Sequence, residues 1–324
     1  MKQRLIKLLG QFKNKKILIV GDIMLDKYIW GDVSRISPEA PVQVVNVVRE
    51  TYEAGGAANV ANNISSLGAK AFMVGIAGED EAKNILLNEL KKRNIDTKGI
   101  FTDKDKPTTQ KIRIVGKSQQ LLRVDYEKKE HIHKYIEESI LQFLSAIITQ
   151  IDVVVISDYA KGVLTANICK NLIEISKSHD KKIVVDPKPE HMNFYSNVSL
   201  ITPNNLEASQ MSDIEDGSNE SAMEMGKKLM RFLNANVLIT QGEKGMSLFE
   251  KDGAVSHIPA KAKEVYSLIG AGDTVVATLS LALASGASMK EAAVLSNIAA
   301  GIKVGKIGTA TVSIEEIKKE LQIK

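Results

Sequence analysis

The residues best suited to chemistry are Gly270-Ala271-Gly272-Asp273-Thr274, which lead into an apolar run from 275 to 283 that reads as a buried helix. Two glycines at a helix start let backbone N–H groups come close to a ligand. The partial positive charge there suits phosphate or developing negative charge. Asp273 lies in the first turn, where that field is expected to keep its carboxylate ionised at neutral pH. An ionised carboxylate beside an anion cradle can take the proton of a hydroxyl as it attacks a phosphoryl group. The same pentapeptide also reads as an ordinary loop whose Asp caps a helix.

Four further polar stretches each follow an apolar, strand-like segment. They are 157–162, Asp186-Pro187-Lys188, Thr202-Pro203-Asn204-Asn205-Leu206-Glu207 and Thr240-Gln241-Gly242-Glu243-Lys244-Gly245. Ligands of open parallel sheets bind beyond the C-terminal strand tips, so four such loops in succession imply one long cleft for a charged ligand. Glu207, three residues after Asn204, opens a helix; it can act through water on magnesium or simply complement the helix dipole. Lys188 and Arg123 each suit a phosphate, and each also reads as a surface charge. Asp22 and Asp26 follow the first strand as candidate substrate contacts, with turn chemistry the stronger reading at Asp22. Gly55, Gly56 and Asn59 open a helix that ends at Gly68. They suit recognition of sugar hydroxyls, or alternatively tight packing of a helix on a sheet.

The elements that must position these groups alternate. Apolar runs predict strands over 16–22, 71–76, 153–157, 183–186, 200–202 and 237–240. Helical spacing predicts helices over 80–93, 133–148, 166–177, 221–233, 274–284 and 290–304, and an amphipathic helix at the N-terminus. Such alternation argues for an α/β fold, a doubly wound, mostly parallel sheet flanked by helices. Two stretches, at about 28–48 and 108–125, break the pattern with strand-like sequence, and Pro38 and Pro41 exclude a helix in the first. They are expected to form a small β-sheet lid inserted into one domain spanning 1–324.

Bulk properties narrow the function classes. The 324 residues carry 43 basic and 39 acidic side chains, a net +4, with no dense basic block, so nothing points to nucleic acid. Cys169 is the only cysteine, which excludes an internal disulfide and fits a reducing compartment. The five histidines show no zinc-like spacing, and His131 and His133 read as solvated. No apolar stretch is long enough to span a bilayer, and the N-terminus lacks a signal-peptide pattern, so a cytoplasmic location is expected.

With these residues in view, the chain resembles the ribokinase-like (PfkB) carbohydrate kinases over nearly its whole length. The stretch 54–78, with its glycine pair, Asn59, Ala61, Gly68 and Gly78, is similar to the family's first signature. Gly270-Ala271-Gly272-Asp273 is similar to the core of the second, and 204–207 to the family's Asn-x-x-Glu magnesium element. Within the family, four stretches are similar to the branch that phosphorylates D-glycero-β-D-manno-heptose 7-phosphate: 21–26, 35–42, 120–125 and 157–164.

That resemblance implies transfer of the ATP γ-phosphoryl group to the anomeric hydroxyl, giving the 1,7-bisphosphate for ADP-heptose and surface-glycan synthesis. It implies Asp273 as base, and the amides of Gly270, Ala271 and Gly272 as anion hole. Asn204, Asn205, Glu207, Thr240, Gly242 and Gly245 would serve the nucleotide, with Glu207 reaching Mg2+ through water. Asp26, Gly55, Gly56 and Asn59 would hold the sugar, with Arg123 and Lys188 toward the 7-phosphate. It further implies a homodimer through the lid, a separate nucleotidyltransferase and phosphatase in the pathway, and a stand-alone kinase. Ser267 stands where the family commonly has an Asp that helps bind a monovalent cation, and Ile269 where a hydroxyl residue is common, which puts potassium in doubt. The alternatives are a kinase for another sugar, sugar phosphate or nucleoside, and a sugar-binding sensor that has lost catalysis.

Overall fold

Ile17 to Val20 have no solvent exposure because the strand they form is covered on both faces. The computed structural model describes all residues except 118, 262–264, 307–309 and 323–324, with the backbone alone at 219. The chain opens with α1 (Lys2–Leu9), β1 (Lys16–Gly21), β2 (Ile23–Ile36), β3 (Gln43–Gly56), α2 (Ala57–Ser66) and β4 (Lys70–Ala77). Next come α3 (Glu81–Lys92), β5 (Asp96–Thr102), β6 (Gln110–Gly116), β7 (Gln119–Tyr126), α4 (Lys134–Ile147), β8 (Val153–Ser157) and α5 (Ala166–Ser178). β9 (Lys182–Asp186), β10 (Leu200–Ile201), α6 (Asn205–Ser212), α7 (Asn219–Leu233) and β11 (Asn236–Thr240) follow. The chain closes with β12 (Met246–Phe249), β13 (Val255–Ile258), α8 (Ala271–Ala284), α9 (Met289–Val304) and α10 (Ile314–Gln322).

Among the described residues, nine strands form the main sheet in the order β13-β12-β11-β10-β9-β8-β1-β4-β5. All neighbours are parallel except β11–β12 and β12–β13. One face packs on α1, α2, α3, α8, α9 and α10 and the other on α4 to α7, giving an apolar core on each side. The C-terminal tips of β1, β8, β9, β10 and β11 therefore lie along one edge, which receives the loops carrying Asp22, Tyr159, Lys188, Asn204 and Thr240.

The second sheet runs β3-β2-β6-β7. β2 pairs antiparallel with β3 from Ile23–Gly56 out to Ile36–Gln43, and parallel with β6. Its hairpin springs directly from the tip of β1 and returns directly into α2. Gly21 permits that crossing, since a Cβ there would sit 1.9 Å from the Ser157 carbonyl oxygen. Gly56, at φ 58°, turns the chain into α2, and the Ala57 amide donates to the Asp22 carbonyl at 3.0 Å.

The first lid insertion is longer than the sequence suggested, with strands spanning 23–56 rather than about 28–48, whereas the second, over 110–126, nearly matches the expected 108–125. Asp26 thus lies within a strand. β5, β12, β13 and α10 were not anticipated; β5 and β13 are sheet edges with few buried side chains, α10 is a short amphipathic helix, and β12 is buried but only four residues long. No described helix is long and apolar enough to cross a membrane.

Candidate active site

Asp273 sits in the first turn of α8, whose N-cap Gly270 adopts a left-handed φ of 75°. Its carboxylate is clamped from two sides: the Asn59 amide donates to Oδ2 at 2.5 Å, and the Tyr159 hydroxyl donates to Oδ1 at 2.9 Å. Asn59 comes from α2 and Tyr159 from the loop after β8, so the clamp joins the two signatures across more than two hundred residues of chain. Behind it, Thr274 donates its hydroxyl to Asn63 Oδ1, and Asn63 donates to the Asn59 carbonyl, each at 2.9 Å.

Burial pushes the Asp273 pKa above the ordinary carboxylate value, against the lowering effect of the Asn59 and Tyr159 hydrogen bonds. This differs from the expectation that the helix field alone would set its ionisation. A carboxylate raised in this way is a better proton acceptor. Burial and then the charge of Asp273 push the Tyr159 phenol well above its ordinary value, so it stays a donor.

The α8 start offers donors. The amides of Gly272 and Asp273 have no backbone carbonyl partner among the described residues, whereas Ala271 donates to the Leu268 carbonyl at 3.2 Å. A Cβ on Gly272 would meet nothing within 4 Å, so space opens in front of that turn. Of the expected anion hole, Ala271 is thus already engaged.

A cleft runs from here over the main-sheet edge, lined by Tyr159, Asp186, Lys188, Asn204, Glu207, Thr240, Gly270, Gly272 and Asp273 among others. Asn204 and Glu207 form a reciprocal cap at the start of α6, and Glu207 Oε1 pairs with the Lys188 ammonium. Asn205 Oδ1 is buried with no hydrogen-bond partner among the described residues. Asp186 is driven well above the ordinary carboxylate range, first by burial and then by the charges of Asp273 and Glu207. Three carboxylates facing one cleft call for a counter-cation, of which Lys188 is one. Thr240 is joined to this wall by its amide bond to the Pro203 carbonyl at 3.0 Å, and the Gly242–Lys244 turn follows it. Gly245 holds a φ of 91° where a Cβ would lie 2.1 Å from the Ile258 carbonyl oxygen.

The lid supplies the other side. Asp26 is buried on β2 and pairs with Arg113 of β6 at 2.6 Å. Gly55 is required opposite, because a Cβ there would lie 2.4 Å from Asp26 Oδ2. Asp22 is an anchor: it accepts the amides of Tyr159, Lys161 and Val163 at 2.9–3.2 Å and so shapes the loop that presents Tyr159.

Asp273, Gly270, Gly272, Asn204, Glu207, Lys188 and Thr240 therefore come together, with Asn59 joined through Asp273 and Asp26 packed against Gly55. Arg123 does not join them. It lies on β7, half exposed and paired with Asp125, while the buried arginine beside Asp26 is Arg113. Lys188, expected at the sugar-phosphate end, stands instead against Glu207. His133, read as solvated, is exposed and also pairs with Asp105 at 2.9 Å. Arg113 was not singled out, and Tyr159 and Asp186 only as members of polar loops; the alternation of Ile112 and Ile114 along β6 points away from Arg113, so no local signal marks it.

Comparison with known proteins follows the same lines. A family model described as pfkB family carbohydrate kinase matches residues 14–317. The chain is 44% identical over 312 residues, 96% of its length, to the bifunctional protein HldE of Desulfatibacillum aliphaticivorans. It is also 44% identical over 306 residues to the bifunctional protein HldE of Helicobacter pylori strain P12. The chain spans about two-thirds of the length of these relatives, 64% and 66% respectively. Ribokinase of Arabidopsis thaliana, solved with ribose and ATP, superposes with a TM-score of 0.76 at 19% identity, covering 96% of this chain and 99% of that one. Phosphofructokinase-2 of Escherichia coli, solved with potassium, gives 0.78 at 18% identity over 95% and 98% of the two chains. At such identities these two likenesses speak for the fold, ribokinase-like.

Proposed function

The chain belongs to the pfkB family of carbohydrate kinases, ATP-dependent sugar kinases, and on that premise we propose that its acceptor is D-glycero-β-D-manno-heptose 7-phosphate. The product would be the 1,7-bisphosphate, an intermediate toward ADP-heptose. The observation that carries the reading is the Asp273 carboxylate, buried, raised in pKa and clamped by Asn59 and Tyr159 beside two amides without a backbone partner among the described residues. The acceptor itself rests on the four stretches similar to the heptose branch.

In this reading the anomeric hydroxyl lies against Asp273, which takes its proton as the oxygen attacks the γ-phosphorus. The amides of Gly272 and Asp273, with the α8 dipole, offset the charge gathering on the phosphoryl oxygens. Tyr159 and Asn59 hold the base in one orientation. Asp26, paired with Arg113, and the backbone at Gly55 and Gly56 hold the sugar. Thr240, Asn204, Asn205, Gly242 and Gly245 border the nucleotide, and Lys188 faces its phosphates. The excess of carboxylates at Asp186, Glu207 and Asp273 fits magnesium, which Glu207 would hold through water and which would neutralise phosphate charge.

Potassium, present in one structural neighbour, does not fit the described residues here. Ser267 brings no charge, its hydroxyl accepts the Ile269 amide at 3.3 Å, and the neighbouring Val304 carbonyl already accepts the amides of Tyr266 and Ser267.

The exposed lid face carries Val42, Val47, Val48, Leu122 and Tyr126, each more than half exposed. A patch of this kind on two edge hairpins fits burial against a second copy, and the protein is proposed to work as a cytoplasmic homodimer. A nucleotidyltransferase and a phosphatase would act on its product. Phosphorus NMR after incubation with magnesium-ATP and a panel of acceptors tests the proposal. Heptose 7-phosphate should gain an anomeric phosphate. A hexose, sugar phosphate or nucleoside phosphorylated in its place would overturn the acceptor, and ligand binding without ADP release would favour the sensor alternative.

A further inference from the structure

We propose that the Lys303 side chain supplies, from within the protein, the positive charge that a monovalent cation would otherwise place beside the 270–272 turn. The inference rests on reading that turn as the phosphoryl-binding element. Lys303 lies in the last turn of α9 and has no solvent exposure, placing it among the largest fully buried side chains of the chain. A buried ammonium is costly unless anions face it, so its place in the fold needs a reason.

The geometry supplies one. The segment before the turn is docked on the Lys303 end of α9, where the Val304 carbonyl accepts the Tyr266 amide at 2.7 Å and the Ser267 amide at 3.1 Å. The Lys303 side chain runs beneath the turn itself: a Cβ built on Gly270 would lie 3.6 Å from its Cε. The charged groups that act on it are Glu53 of β3 and Asp273 of α8, which favour the ammonium, and Lys306, which opposes it. Burial is the largest influence and lowers its pKa.

A cation fixed behind the turn strengthens the pull of the Gly272 and Asp273 amides on a phosphate without touching it. Lys303 makes and breaks no bond; it is a positioning residue acting through the turn. It also accounts for Ser267, since a second negative charge from an Asp at 267 is unnecessary where the bound cation is replaced by a tethered one.

The test compares magnesium-ATP binding by calorimetry, and turnover, in potassium chloride and in tetramethylammonium chloride at equal ionic strength. Wild-type Kd and kcat should agree within about twofold between the two salts. Lys303→Met should weaken magnesium-ATP binding or lower kcat by about tenfold, and Lys303→Arg should recover part of that loss. A wild-type protein that binds ATP or turns over more than about twofold better in potassium overturns the proposal. So does a folded Lys303→Met variant with wild-type binding and turnover. The salt comparison needs no variant, and nucleotide binding needs no acceptor, so failure of the heptose assignment is read separately, in the acceptor panel.

Discussion

The central strands of the main sheet, such as β1, β8 and β9, are covered on both faces and largely apolar. The lid sheet is buried only near its root, with β7 and the outer part of β3 exposed on both faces, and its strands mix charged, aromatic and aliphatic residues. The cleft that we assign to nucleotide lies along the tips of the first, whereas the groups that we assign to the acceptor, Asp26 and its Arg113 partner, belong to the second. Asp273 is where the two regions meet, tied to the root of the lid through Asn59 and to the main sheet through Tyr159. The rigid sheet thus offers a chemistry common to many acceptors, and the attached sheet offers the means to choose among them.

Disabling the junction should have the largest effect. Asp273→Asn keeps the volume and removes the base, and is expected to lower kcat by roughly 10³-fold with little change in Tm. Near-wild-type turnover would leave the two sheets without a shared chemical function. The second perturbation falls on the lid alone. Arg113→Met leaves the buried Asp26 carboxylate unpaired, so acceptor KM should rise about tenfold or more while magnesium-ATP affinity changes less than about twofold. Equal losses on both substrates would erase the division of labour.

The third falls on the main sheet alone. Asp186 has a folded pKa above its unfolded one, so its contribution to stability is favourable at low pH and is lost as pH rises through the folded value. Asp186→Asn should therefore raise the Tm of the ligand-free protein at pH 8 and give no such gain below about pH 4, the ordinary aspartate value, by scanning calorimetry. The smallest effect is expected at Arg123, half exposed and, among the described residues, paired with Asp125. Arg123→Ala should change kcat/KM by less than about threefold.

The same contrast explains what could be read from sequence. Buried parallel strands such as Val153–Ser157 announce themselves as unbroken apolar runs, and the loops at their tips follow. The glycine turn and Asp273 are legible because their spacing is local. The Asp26–Arg113 pair is not, because it depends on β2 lying parallel to β6 at a register that no local pattern encodes. Arg123 stands directly opposite Arg113 in the β6–β7 register and on the same face, but on the edge strand, where it is half exposed; only the strand order decides between them. β12 and β13 escaped notice because four-residue strands carry too few side chains to show a period. The rise in the Asp273 pKa depends on burial by distant elements, which a helix-start argument does not include.

The most direct measurement is the pH dependence of kcat/KM for wild type and Asp273→Asn. Because the base must be unprotonated and burial raises its pKa, the wild-type rate should fall tenfold per pH unit on an acid limb lying above the ordinary aspartate value of about 3.8. The residual activity of Asp273→Asn should lack that limb. An identical limb in both proteins would contradict Asp273 as the proton acceptor, and with it the account of how the two sheets cooperate.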